Sequence, residues 1–201
     1  MIYFTSDLHL GHLNIIRYCS RPFELTQEGV AECDRFLIGN YCSVVKDDDF
    51  VFNLGDLAFF GGSEERKRYY QEVCRQLPGH KVMLRGNHDR QSDEYYLGCG
   101  FLDIQDYLVF EDFFICHYPL CHDEHEPEND PSRRLKEEFV RHSCHTLIHG
   151  HTHTRSPEDE FADRINVCVD NPATHYRPVT IDNLPVSLIE QYVNNLLTKA
   201  H

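Results

Sequence analysis

Five short apolar runs in this 201-residue chain each lead to an acid, an amide or an imidazole, and this limits its folds more than any other feature. Ile2 to Thr5 leads to Asp7-Leu8-His9, Phe50 to Leu54 to Gly55-Asp56, and Val82 to Leu84 to Gly86-Asn87-His88-Asp89. Phe113 to Cys116 leads to His117, and Thr146 to Ile148 to Gly150-His151-Thr152-His153. Runs this short and apolar read as buried strands. In an open layered α/β sheet, loops leaving the carboxyl ends of neighbouring strands meet in one crevice, so the five polar clusters are expected at one edge.

The stretches between the runs alternate with them. Leu13 to Cys19 reads as a short helix stopped by Arg21-Pro22, because the residue before proline is pushed out of helical angles. Thr26 is placed to cap a helix to about Val45, and Ser63 one to about Leu77, each with apolar positions at helical spacing. A strand-helix rhythm over the first ninety residues predicts parallel strands joined by crossovers. The second half changes character. Tyr107 to Phe110 and Phe113 to Cys116 read as a hairpin, and the acid-rich residues 121 to 131 as a surface loop before a helix around Ser132 to Arg141. Ile165 to Val169 and Val179 to Ile181 read as further strands, and Leu188 to Leu197 as an amphipathic terminal helix. Periodicity alone supports a mixed α/β layer fold, and the length suits one domain over 1–201.

Composition narrows the partners. With 19 basic and 33 acidic side chains the formal charge is -14, which disfavours an extended nucleic acid, since phosphate-backbone binding draws its affinity from Lys and Arg. A small phosphate ester is not disfavoured, because bound divalent ions offset the charge locally. Nine cysteines with no Cys-x-x-Cys pair suit reduced, buried thiols and a cytoplasmic location. No signal peptide is visible, and no apolar run approaches the ~18 residues that span a bilayer, so no membrane partner is expected.

Two Asp, one Asn and several His, without Cys, suit a borderline ion such as Mn, Fe, Co, Ni or Zn. The count exceeds what one tetrahedral ion needs. Two ions about 3.5 to 4 Å apart, sharing a carboxylate, form an arrangement that activates water and clamps a phosphoryl group.

Asp-x-His, Gly-Asp, Gly-Asn-His-Asp, His and Gly-His-x-His, in that order over roughly residues 2 to 180, resemble the calcineurin-like metallophosphoesterases. The resemblance implies an α-β-β-α sandwich of two mixed sheets flanked by helices. It also implies two divalent cations, manganese foremost, and hydrolysis of a small nucleotide-like phosphodiester or phosphomonoester by a metal-bridging hydroxide. Asp7, His9, Asp56 and His153 would hold one ion; Asp56, Asn87, His117 and His151 would hold the other. His88 would be catalytic at the leaving oxygen, with Asp89 orienting its ring. His12, Asn14 and Arg85 are candidate substrate contacts, and Arg17 and Arg21 could also meet phosphate oxygens. His149 reads as a packing residue. The competing readings are a nuclease and a metal-free scaffold that keeps the fold. The filled ligand blocks speak against the scaffold.

Overall fold

The structure, a computed structural model, describes residues 1–120, 131–155 and 162–199. Four parallel strands form the first sheet in the order β1 (Ile2–Thr5), β2 (Phe50–Asn53), β3 (His80–Leu84), β4 (Phe101–Gln105). The second sheet runs β5 (Tyr107–Phe110), β6 (Phe113–Cys116), β7 (Thr146–His149), β8 (Asp163–Asn166). Its β5–β6 pair is the antiparallel hairpin the sequence predicts, and the other pairs are parallel.

Alternation along the strands builds the layers. Phe4, Phe52, Val82 and Leu84 of the first sheet meet Ile115 and Ile148 of the second in one buried core. Their neighbours face outward: Tyr3 and Val51 toward α2 (Gln27–Val44), Met83 toward α3 (Glu64–Arg75) and α4 (Asp93–Gly98). On the far side, Phe114 and Leu147 pack on Leu135 and Phe139 of α5 (Pro131–Arg141). The terminal helix α6 (Val186–Lys199) adds Ile189 and Val193 to the inner core. Helices thus cover both outer faces of paired sheets, the α-β-β-α sandwich. Thr26 and Ser63 cap α2 and α3 as their sequence positions predict, accepting from the N–H groups of Gly29 and Arg66.

Three expectations need correction. Val179 to Ile181 forms no strand; Val179 alone bridges to Phe4, exchanging both backbone hydrogen bonds. β1 therefore ends the four-strand ladder. The strand expected at Ile165 to Val169 starts earlier and ends at Asn166, whose side-chain oxygen takes the Cys168 N–H and turns the chain. Of the loop expected at 121 to 131, residues 121–130 lie outside the described residues and Pro131 already opens α5. No helix among the described residues is long and apolar enough to cross a membrane.

Candidate metal centre

Every candidate ligand sits just past the carboxyl end of a strand: Asp7 and His9 after β1, Asp56 after β2, Asn87 after β3, His117 after β6, His151 and His153 after β7. The loops are stitched to one another first. Backbone N–H groups of Asp7, His9 and Leu10 donate to the carbonyls of Gly55, Asp56 and Leu57. The glycines make room for this. A Cβ on Gly86 would lie 2.3 Å from Asp56 Oδ1, and one on Gly150 would lie 2.1 Å from Ser6 Oγ and 2.6 Å from Asp7 Oδ2.

Asp7, His9, Asp56, His151 and His153 all have positive φ, from 48° to 69°. Asp and His tolerate this conformation better than most residues, though a non-glycine residue held there costs energy and such strain gathers at functional sites. An extended segment would point the His151 and His153 rings to one face; the chain turns at both instead, so His151 lies beside His117 and His153 beside Asp7.

Each buried carboxylate divides its oxygens. Asp7 Oδ2 accepts the His151 N–H at 2.9 Å and the Cys168 thiol at 3.1 Å, while Oδ1 is buried without a hydrogen bond. That oxygen stands 3.7 Å from both His9 Nε2 and His153 Nε2. Asp56 Oδ1 accepts the His88 N–H at 2.9 Å, while Oδ2 stands 3.4 Å from His9 Nε2 and 3.6 Å from His117 Nε2.

The imidazoles are aimed by what their other nitrogen does. His117 Nδ1 lies 2.6 Å from the Leu54 carbonyl, which can only accept, so Nδ1 carries the proton and Nε2 presents a lone pair. This Nε2 lies 3.1 Å from both Asn87 Oδ1 and His151 Nδ1, which are themselves 3.0 Å apart. A neutral His117 and the Asn87 oxygen would each offer a lone pair to a cation placed between them. Donors held about 2.0–2.2 Å from one ion at tetrahedral or octahedral angles stand about 3–3.5 Å apart, close to the spacings seen here. The buried His9 Nε2, also without a hydrogen bond, fits the same description. The residues therefore suit divalent ions: Asp7, His9 and His153 form one group of convergent ligand atoms, and Asp7, Asp56 and His117 another.

The charges respond to this crowding. Burial and the neighbouring Asp7 push Asp56 up to about 7. Burial would raise Asp7 as well, but the rings of His9, His117 and His153 hold it well below the usual carboxylate range. Burial opposes a charge on His153, yet its bond to Asp170, with Cys19 and Asp7 nearby, pushes it up to about 10. Without a cation, a proton occupies the nitrogen facing Asp7.

His88 stands at the rim. Its ring is partly exposed and its Nε2 lies 4.0 Å from Asp56 Oδ2. Burial and the charge of Arg90 lower its pKa, so the ring is neutral near pH 7 and still owns one N–H to donate. A cleft of about 450 Å³ opens beside it, lined among others by His12, Tyr18, Asn87, His151 and Arg155. Burial, His9 and His88 push His12 down to about 4.

Other expected contacts lie elsewhere. Asn14 is exposed on α1 (Leu13–Tyr18) and does not line the cleft. The Arg85 guanidinium donates to the carbonyls of Asp89 and Gln91, pairs with Asp93 and covers the Tyr96 ring. The Asp89 carboxylate accepts the N–H groups of Asp56, Leu57 and Gly86 and the Tyr96 hydroxyl. It therefore ties the Asp56 loop to the Asn87 loop, and its bonds are to groups other than the His88 ring. Arg17 lies over the Tyr18 ring. Arg21 is buried, pairs in two-pronged fashion with Asp170 and donates to the carbonyls of Asp7 and Leu8. Asp170 in turn holds His153 Nδ1 at 2.7 Å. Sequence reasoning missed Asp170, which sits in an ordinary turn pattern, Asp-Asn-Pro. His149 is buried and bonds the Gly150 carbonyl at 2.7 Å, bracing the His151 turn.

Known proteins resemble this chain over most of its length. An uncharacterized protein of Methanocaldococcus jannaschii is 33% identical over 196 residues, covering 94% of this chain and 92% of its own. The gene 66 protein of Mycobacterium phage L5 is 27% identical over 176 residues, covering 76% and 77%. The crystal structure of a protein of unknown function from Aquifex aeolicus superposes with a TM-score of 0.67 at 29% identity, covering 89% of this chain and 94% of that one. A sequence model described as calcineurin-like phosphoesterase matches residues 1–155. That span runs past His153 and takes in every strand-end cluster gathered at this edge, and the chain belongs to the calcineurin-like phosphoesterase family.

Proposed function

We propose that the chain is a hydrolase of small phosphoric esters that works with two divalent cations, manganese foremost. The observation that carries this reading is the convergence of ligand atoms from Asp7, His9 and His153 and from Asp7, Asp56 and His117, of which Asp7 Oδ1 and His9 Nε2 are buried without a hydrogen bond, with a cleft open beside them. Asp7, His9, Asp56 and His153 would hold one cation, and Asp56, Asn87, His117 and His151 the other, with Asp56 shared. Bound there, the pair would supply positive charge for the phosphoryl oxygens and lower the pKa of water.

The chain's own groups do the remaining work. His88, beside Asp56 but less buried, directs its N–H at the oxygen that leaves phosphorus. Its backbone N–H is fixed on Asp56 Oδ1, so the ring keeps its place relative to the shared carboxylate. Asp89 keeps the two loops in register by holding three N–H groups at once. His12, neutral near pH 7, adds a wall without adding charge.

Hydrolysis of p-nitrophenyl phosphate esters by manganese-repleted protein tests the reading. Asp56→Asn should abolish measurable turnover and lower the metal content. His88→Ala should keep its metal while kcat falls about 10²–10⁴-fold, the usual contribution of a positioned proton donor. Wild-type protein inert toward every ester with every borderline metal would sink it.

A further inference from the structure

The sequence leaves monoester and diester open, and the geometry around His88 points to a choice. Two cavities meet at this residue. One is the cleft of about 450 Å³, which runs past His12, Tyr18 and Arg155. The other, about 320 Å³, lies between the β2–α3 and β3–α4 connections and is lined by Phe59, Phe60, Lys67, Arg90 and Gln91 together with His88. Both fall within or near the range of ligand-sized sites, about 300–1,000 Å³.

What divides them is a pair of rings. His12 lines the first cavity and Phe59 the second, and the two are stacked with centroids 4.6 Å apart and planes at 29°. His88 alone lines both. Phe59 is a large apolar side chain left 40% exposed. Its ring has His12 on one side and the second cavity to face, so a flat group entering there can stack on it. Lys67 and Arg90 give that cavity a positive lining against the single acid Glu64, in a chain of net charge -14.

We propose that the substrate is a phosphodiester laid across the His12–Phe59 partition. Its leaving alcohol, bearing an aromatic ring such as a nucleobase, occupies the Phe59 cavity. Its retained arm lies in the cleft past Tyr18. This inference rests on the hydrolase reading above. In the reaction, water adds to phosphorus and gives up a proton as the bond to the leaving oxygen breaks. That oxygen, accepting the His88 N–H, takes up a proton in exchange and departs as the alcohol, and a monoester remains in the cleft. A monoester substrate would leave the second arm of the site unused.

Two substrates with one leaving group separate the arms: bis(p-nitrophenyl) phosphate and p-nitrophenyl phosphate, each with manganese-loaded protein. Wild type should show kcat/KM at least about tenfold higher on the diester. Phe59→Ala should lose about tenfold on both esters, because both leave through its cavity, with metal content unchanged. Tyr18→Ala should lose a similar factor on the diester alone. Equal or better use of the monoester overturns the diester assignment, and Phe59→Ala matching wild type overturns the leaving-arm assignment. Absence of turnover on both esters by wild type refutes the hydrolase reading itself and this inference with it.

Discussion

Asp7 and His9 are almost sealed in and His153 beside them is half-buried, whereas of Asn87, His117 and His151 only His117 is shut away and the other two open on the cleft, which His9 and His153 also reach. Asp7 is 0% exposed and His9 3%, and His153 is braced through Asp170 by a buried arginine. In the second set only His117 is buried; Asn87 is half-buried and His151 exposed. The sealed set borrows its rigidity from a salt bridge between parts of the chain 149 residues apart. The open set relies on one backbone carbonyl, that of Leu54, to aim one ring. The contrast suggests a division of labour: a cation retained at the sealed position, and a more exchangeable one where the substrate enters.

The contrast can be broken first at Arg21. Removing one partner of a buried ion pair costs about 3–5 kcal/mol, so Arg21→Ala should lower stability by about that amount in denaturant unfolding. It should also cost one cation per chain by elemental analysis, and loss of both or neither would erase the distinction. Gly150→Ala should act on the two positions alike, since its turn carries both His151 and His153 and the new Cβ would strike Ser6 and Asp7. A cost of about 1–3 kcal/mol, typical of overpacking, should accompany weakened binding of both ions.

Acidification sharpens the comparison. His153, pushed up to about 10, must shed a proton to bind a cation at neutral pH. The sealed position should therefore lose at least about tenfold in affinity for each unit that pH falls between 8 and 6, at least about 1.4 kcal/mol per unit, with Asp56, pushed up to about 7, adding a second proton at the lower end. Metal titrations at the two ends of that range check it; a pH-independent affinity at both positions contradicts it. The smallest effect belongs to Arg85. Its donors go to its own loop and its partner Asp93 is exposed, so Arg85→Ala should cost about 1 kcal/mol and leave metal content intact.

Much of this was legible because strand ends carry chemistry in one short run each. The strands leading to Asp7, Asp56, Asn87, His117 and His151 are apolar and bounded by polar punctuation, so position alone predicts their meeting. β4 and α4 were not legible. Phe101–Gln105 alternates with an acid and an amide and is mostly half-buried, while Asp93–Gly98 is too short to show helical period. Arg21 and Asp170 were hidden for a different reason. Each looks like a solvated turn residue by itself, and only tertiary packing buries them together. The same holds for Arg85 and Asp89, whose motif neighbours suggest substrate and catalysis while their partners are the backbone of their own and adjoining loops.

Both candidate positions draw on both sheets, Asp7, His9, Asp56 and Asn87 from the first and His117, His151 and His153 from the second. During synthesis, a nascent chain that has not yet released residue 153 cannot assemble the sealed position, and one lacking residue 151 cannot assemble the open one. A divalent ion held by these residues would therefore be captured only once both sheets are made, and it would act as a clasp across the sandwich, locking together two halves that were made at different times.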